Sequence, residues 1–177
     1  DYNLNFKNVC GYLKLQLYGT NVTVKTITLT GNNNEKLAGK ATVTFGNDGV
    51  PTVSMADDAT TSITLDCGNG VTIGDSENEA TTFWMVVPPT TFTKGFTVTV
   101  TTTDDVTFTQ STSNEIAITR NRVKPMKAFG KNLGESTMLL PSGSTFKNTI
   151  KSFLDANTTL TKIKFIANSS TVSEQEL

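Results

Sequence analysis

From Leu4 to about Val123, apolar and polar residues alternate with a period of two. Tyr12, Lys14 and Gln16 alternate with Leu13, Leu15 and Leu17, and Val22, Val24, Thr26, Thr28 and Thr30 with Thr23, Lys25, Ile27 and Leu29. This is the signature of half-buried strands. It predicts further strands at Lys40–Phe45, Thr52–Met55, Ser62–Cys67, Val71–Ile73, Thr82–Val87, Phe92–Thr101, Val106–Thr109 and Glu115–Thr119. Turn signals separate them: Gly31-Asn32-Asn33-Asn34, Asn47-Asp48-Gly49, Asp57-Asp58, Gly68-Asn69-Gly70 and Asp104-Asp105. Many short strands with frequent turns and no 3.6-residue stripe predict an all-β sandwich or barrel, not a parallel nucleotide-binding sheet. The expected core is Phe6, Leu13, Leu15, Leu17, Ile27, Leu29, Val43, Phe45, Ile63, Leu65, Trp84, Val86, Phe96, Val98, Val100, Phe108, Ile116 and Ile118. Phe83 to Pro89 reads as a central core strand, because a continuous apolar run ending at Pro-Pro fits that role better than an exposed sugar-binding stripe.

The texture changes after Arg120-Asn121-Arg122, a basic pair that suits a solvated strand end and also a processing site. Lys124-Pro125 ends the alternation, and Gly130, Gly134, Pro141 and Gly143 punctuate a stretch of little periodicity. The expected organisation is a sandwich over 1–126, a linker over 127–144 and a short αβ segment over 145–177. In that segment Phe146, Ile150, Phe153 and Leu154 predict an amphipathic helix at about 145–156, and Ile163, Phe165 and Ala167 one more strand. A lone helix and strand bury no core of their own, so the segment reads as the start of a further module, and the chain as a piece of a longer polypeptide.

Composition supports the β reading: 33 threonines, β-branched and suited to a solvated sheet face, replace much of the usual apolar content. It also removes whole classes of chemistry. There is no histidine, so Ser-His-Asp and Cys-His nucleophile sites and His-ligated zinc are excluded. Fifteen basic against sixteen acidic residues give a net charge of −1, without the overall basic field that draws nucleic acid or anionic lipid. No apolar run approaches the roughly 18–20 residues that span a bilayer.

The remaining candidates are few. Cys10 and Cys67 lie in predicted strands with no metal or redox spacing. They are a candidate disulfide, or else two separate buried thiols. Asp75-Ser76-Glu77-Asn78-Glu79 and Asp57-Asp58 are the acidic stretches in which calcium ligands would be sought, but neither has EF-hand spacing, and a solvated loop is the better reading. No carboxylate pair stands out, so no catalytic acid is assigned. Asn21, Asn157 and Asn168 begin glycosylation sequons, a pattern frequent by chance in an Asn- and Thr-rich chain. No glycine-rich phosphate loop follows a strand, and no cofactor is expected.

Five segments in order carry a resemblance: Phe6-Lys7-Asn8-Val9-Cys10-Gly11-Tyr12-Leu13-Lys14-Leu15; Val24 to Leu29; Ile63-Thr64-Leu65-Asp66-Cys67-Gly68; Phe83 to Phe92; and Ile118 to Val123. Over about residues 4–126 the chain resembles the fimbrillin-like (Mfa-like) surface proteins of the Bacteroides group, at the second of their sandwich domains. The resemblance implies an antiparallel, transthyretin-like (Ig-like) β-sandwich without enzyme activity, belonging to a lipoprotein exported to the outer-membrane surface. Its partners would be other pilus subunits, or host or bacterial surface proteins or glycans, and membrane contact would come only through a lipid anchor outside this chain. Thr145 to Leu154 and Leu160 to Phe165 are similar to the lead-in of BspA-like leucine-rich repeats. The family further implies assembly by donor-strand exchange, for which the expected groove edge is the first strand, Leu4–Leu17. Two rival roles are a rigid spacer that presents a C-terminal leucine-rich module and a carbohydrate-binding accessory domain.

Overall fold

The computed structural model describes residues 6–131, 135–140, 151, 155 and 162–167. Two sheets face each other across one core, as the alternation predicts. The first is built on β1 (Gly11–Tyr18), whose Leu13, Leu15 and Leu17 are fully buried while Tyr12, Lys14 and Gln16 face outward. The second contains β2 (Thr23–Gly31), which turns Val24, Ile27 and Leu29 inward. A projecting ribbon follows, β3 (Ala41–Phe45) against β4 (Pro51–Met55). The chain then returns through β5 (Ser62–Thr72), a single 3-10 turn at Glu77–Glu79 and β6 (Thr81–Val87). It continues through β7 (Thr90–Phe92), β8 (Phe96–Thr102), β9 (Thr107–Ser111), β10 (Ile116–Ile118), β11 (Val123–Pro125) and β12 (Phe129–Gly130).

The second sheet is antiparallel, in the order β5-β2-β8-β9. In the first, β6 pairs antiparallel with one edge of β1, while β11 and β12 pair parallel with the other. These parallel pairings depart from a purely antiparallel sandwich. They also overturn the expectation that the first strand is an open groove edge: β1 is internal, with hydrogen-bonded neighbours on both sides, and it begins at Gly11 instead of Leu4. Phe6, expected in the core, lies ahead of β1 and is 91% exposed.

The apolar run of β6 faces the other way from the expectation. Leu13 pairs with Met85 and Leu15 with Phe83, so Phe83, Met85 and Val87 join the core while Trp84 and Val86 are 50% and 58% exposed. A one-residue slip inverts every side chain of a strand, and a run with no polar member carries no signal of its face. Val43 and Phe45 were also expected inside. Their alternation is real, but among the described residues β3 pairs only with β4, and Val43 and Phe45 stay 41% and 67% exposed. Ile63 and Leu65 are half-buried because β5 is an edge strand. The other eleven expected core residues are buried, joined by Val22, Val24, Phe92 and Ile73.

Two turn signals act differently from the reading. Gly68-Asn69-Gly70 does not end a strand: β5 runs through it, and residues 67–70 bulge where β2 offers only Lys25. Gly95, inside the single strand expected at Phe92–Thr101, has φ +68° and splits it into β7, which pairs with β10, and β8. A Cβ at Gly95 would collide with the Thr112 carbonyl.

The chain divides into two compact units, 1–131 and 132–177. The expected boundary differs, since β12 belongs to the first unit. In the second, β13 (Glu135–Leu140) occupies what was read as linker and pairs parallel with β14 (Lys162–Ala167), the strand expected there. The helix expected at 145–156 lies outside the described residues except for Lys151 and Asp155. Both are helical and form an i,i+4 ion pair of 2.7 Å. No helix among the described residues is long and apolar enough to cross a membrane.

Candidate functional site

Two surfaces of the first unit stand out once the register is known. One is a cleft of about 380 Å³ where the edges of the two sheets part, between β1 and β12 on one side and β8 and β9 on the other. Its floor consists of core side chains, Leu15, Phe96 and Val98, and its rim includes Gln110, Met126 and Phe129. β9, five residues long, pairs only with β8 among the described residues, so its outer backbone groups run along the mouth. Gly130 brings β12 against Tyr18 so closely that a Cβ there would meet the Tyr18 carbonyl. An apolar floor beside an unpaired strand edge is the geometry that admits another strand.

The other surface is the outer face of the first sheet. The register aligns Val86, Tyr12 and Val123 in one row and Trp84, Lys14 and Pro125 in the next. Tyr12, Trp84, Val86 and Val123 together line a shallow hollow of about 370 Å³. Sequence reasoning placed Trp84 and Val86 in the core and so missed this face. The signal that finds it is the pairing with the unambiguous alternation of β1.

The cysteines are free thiols, Cys10 just ahead of β1 in the first sheet and Cys67 in β5 of the second. Burial pushes both thiols above their ordinary range, and the neighbouring Asp66 carboxylate raises Cys67 further. Both are therefore predominantly protonated at neutral pH and poor nucleophiles there. At the acidic loop, Ser76 Oγ donates to Glu79 Oε2 at 3.2 Å, and Asp57 and Asp58 are exposed. Among the described residues, no three His, Cys, Asp or Glu side chains gather as a metal-ligand set. Asn21 is exposed in the β1–β2 turn with φ +58°, whereas Asn157 and Asn168 lie outside the described residues. Arg120 Nη1 donates to the Asn8 carbonyl at 2.9 Å, tying the basic pair to the segment before β1.

No protein-family model, curated protein or solved structure matches the chain.

Proposed function

We propose that the chain is a non-enzymatic cell-surface module of adhesion or pilus type, whose first unit accepts a strand from a neighbouring subunit along β9. The observation that carries this reading is the cleft floored by Leu15, Phe96 and Val98 beside the outer edge of β9, which has no strand partner among the described residues. A strand seated there would gain main-chain hydrogen bonds and bury alternate apolar side chains on a floor already built for them. The expectation of such a groove is kept, but it moves from the first strand to the seam between the sheets. The test is hydrogen exchange on the full chain with synthetic strand peptides of alternating apolar pattern. Peptides should protect the β9 amides, and M126K, which places a charge on the rim, should abolish the protection. Unchanged β9 exchange with every peptide, together with a strictly monomeric chain, sinks the proposal.

A specific observation also favours the spacer reading. β13 and β14 pair in parallel at a constant offset of 27 residues, within the roughly 20–29 residues of a leucine-rich repeat, which lays successive strands side by side in parallel. On this reading the sandwich presents a C-terminal recognition module.

A further inference from the structure

We infer that the β3–β4 ribbon is a contact between two copies of this chain, whose β3 strands pair antiparallel about Val43 and join the two ribbons into one four-stranded sheet. The hydrogen-bond phase of the ribbon is the first argument. Gly46 N donates to the Val50 carbonyl at 3.1 Å, and Ala56 N to the Lys40 carbonyl at 2.9 Å. In an antiparallel pair such bonded positions alternate with unbonded ones. Lys40, Thr42, Thr44 and Gly46 therefore give their main-chain groups to the β4 side, while Ala41, Val43 and Phe45 turn theirs to the outer edge. That edge is accessible: all five residues of β3 are exposed, whereas in β4 Pro51 is buried and Val53 and Met55 are half-buried. It has no strand partner among the described residues and carries no charge or proline from Ala41 to Phe45. Other edges are protected. β4 begins at Pro51, which has no N–H to offer, and the bulge at residues 67–70 interrupts β5.

Self-complementarity is the second argument. Ala41-Thr42-Val43-Thr44-Phe45 reads apolar, hydroxyl, apolar, hydroxyl, apolar in either direction. Turned antiparallel about Val43, it sets Val43 opposite Val43 of the second copy and Ala41 opposite the second copy's Phe45, and each of these pairs exchanges two main-chain hydrogen bonds. The large Phe45 ring falls beside the small Ala41. On the other face Thr42 meets Thr44, extending the hydroxyl contact that Thr44 already makes with Thr52 at 2.7 Å. The same register puts Lys40 opposite Gly46 of the second copy, beside the turn that carries Asp48. Neither Lys40 nor Asp48 has an ion-pair partner among the described residues, whose only ion pairs are Lys25–Asp105 and Lys151–Asp155. Pairing along five residues covers on the order of 300 Å² per copy, well below the roughly 800 Å² that each partner gives to a stable interface. The contact is therefore weak and reversible, and it gains strength where several copies are held close together. It uses neither β9 nor the cleft and stands independently of the strand-addition reading.

The experiment combines sedimentation equilibrium of the full chain over a wide concentration range with hydrogen exchange at its two ends. A reversible dimer with a dissociation constant of about 10–1,000 µM is expected, in keeping with so small an interface. At high concentration the amides of Ala41, Val43 and Phe45 should become protected, while those of β9 exchange at an unchanged rate. V43K and V43E each place like charges directly opposite one another across the two-fold axis, and each should weaken the dimer at least tenfold. An equimolar mixture of the two should restore it, because in this register residue 43 meets itself and the mixture sets Lys against Glu. That rescue separates a lost contact from a lost fold, since mixing does not refold a damaged ribbon. A chain that stays monomeric throughout, with or without protected β3 amides, would overturn the inference. So would concentration-dependent protection at β9 instead of β3, charge variants that associate like the parent, or a mixture that fails to restore the dimer.

Discussion

Asn32 does more than a turn residue has to. Its Nδ2 donates to the carbonyls of Lys94 at 3.0 Å and Thr112 at 2.9 Å, and its Oδ1 accepts from Thr97 Oγ1 at 2.9 Å, so one exposed side chain ties the end of β2 to the β7–β8 turn and to the end of β9. We expect N32A to lose about 1–2 kcal/mol in chemical denaturation, modest for three bonds because water competes at the surface. G95A should cost about 1–3 kcal/mol, since it combines a left-handed backbone with the collision at Thr112. The thiols give a pH-dependent prediction. The fold favours the protonated form of Cys10 and Cys67, so their contribution to stability is full below the ordinary thiol range and falls as pH rises through the raised folded values. Iodoacetamide should label both slowly at neutral pH and faster above it. D66N should speed labelling of Cys67 alone, because it removes the carboxylate that disfavours the thiolate. At this scale the sequence was legible for residue type but not for partner. Asn32 stands in a recognised turn signal, yet nothing local announces acceptors more than sixty positions away.

At the scale of the element, what decides legibility is whether a strand carries its own alternation. β1 and β8 do, and their inner faces follow directly from the pattern; β2 does only beyond Thr26, because a register shift between Val24 and Thr26 puts Val24 on the same buried face as Ile27 and Leu29. β6 does not, and its face is set by β1 through the pairs Leu13–Met85 and Leu15–Phe83. The energetic consequence is directional: M85A should cost about 2–4 kcal/mol as a buried large-to-small change, whereas V86T should stay within about 0.5 kcal/mol. If urea denaturation gave the two variants equal costs, the register would be wrong. The threonine content has its account here too. Thr28 meets Thr64 at 2.9 Å, Thr44 meets Thr52 at 2.7 Å and Thr97 meets Ser111 at 2.9 Å, each pair across two strands on an exposed face. Such pairs contribute roughly 0.2–1 kcal/mol apiece, which makes the solvated faces cohesive and not merely soluble. The cleft was legible only in part, because its floor residues read as core while its opening depends on where β9 and β12 stop.

For the whole molecule, the boundary between units is the testable quantity. Ending the chain at residue 126, where the alternation suggests, removes β12 and its pairings Leu17–Phe129 and Tyr18–Gly130. Ending it at 131 keeps them. The longer form should melt several degrees higher, as expected when about 1 kcal/mol or more is at stake in a domain of this size. Equal melting temperatures would return β12 to the linker. The parallel contacts of β1 also bear on how the fold is reached. Tyr12 pairs with Val123 and Leu17 with Phe129, so the first strand of this unit completes its sheet with the last segments of the same unit. On the ribosome β1 must wait, with one apolar face and one backbone edge uncovered, until nearly the whole unit has emerged. Closing so long a loop places the domain among slow, high-contact-order folders, in the millisecond-to-second range. The nascent chain is most vulnerable to misassociation during that wait.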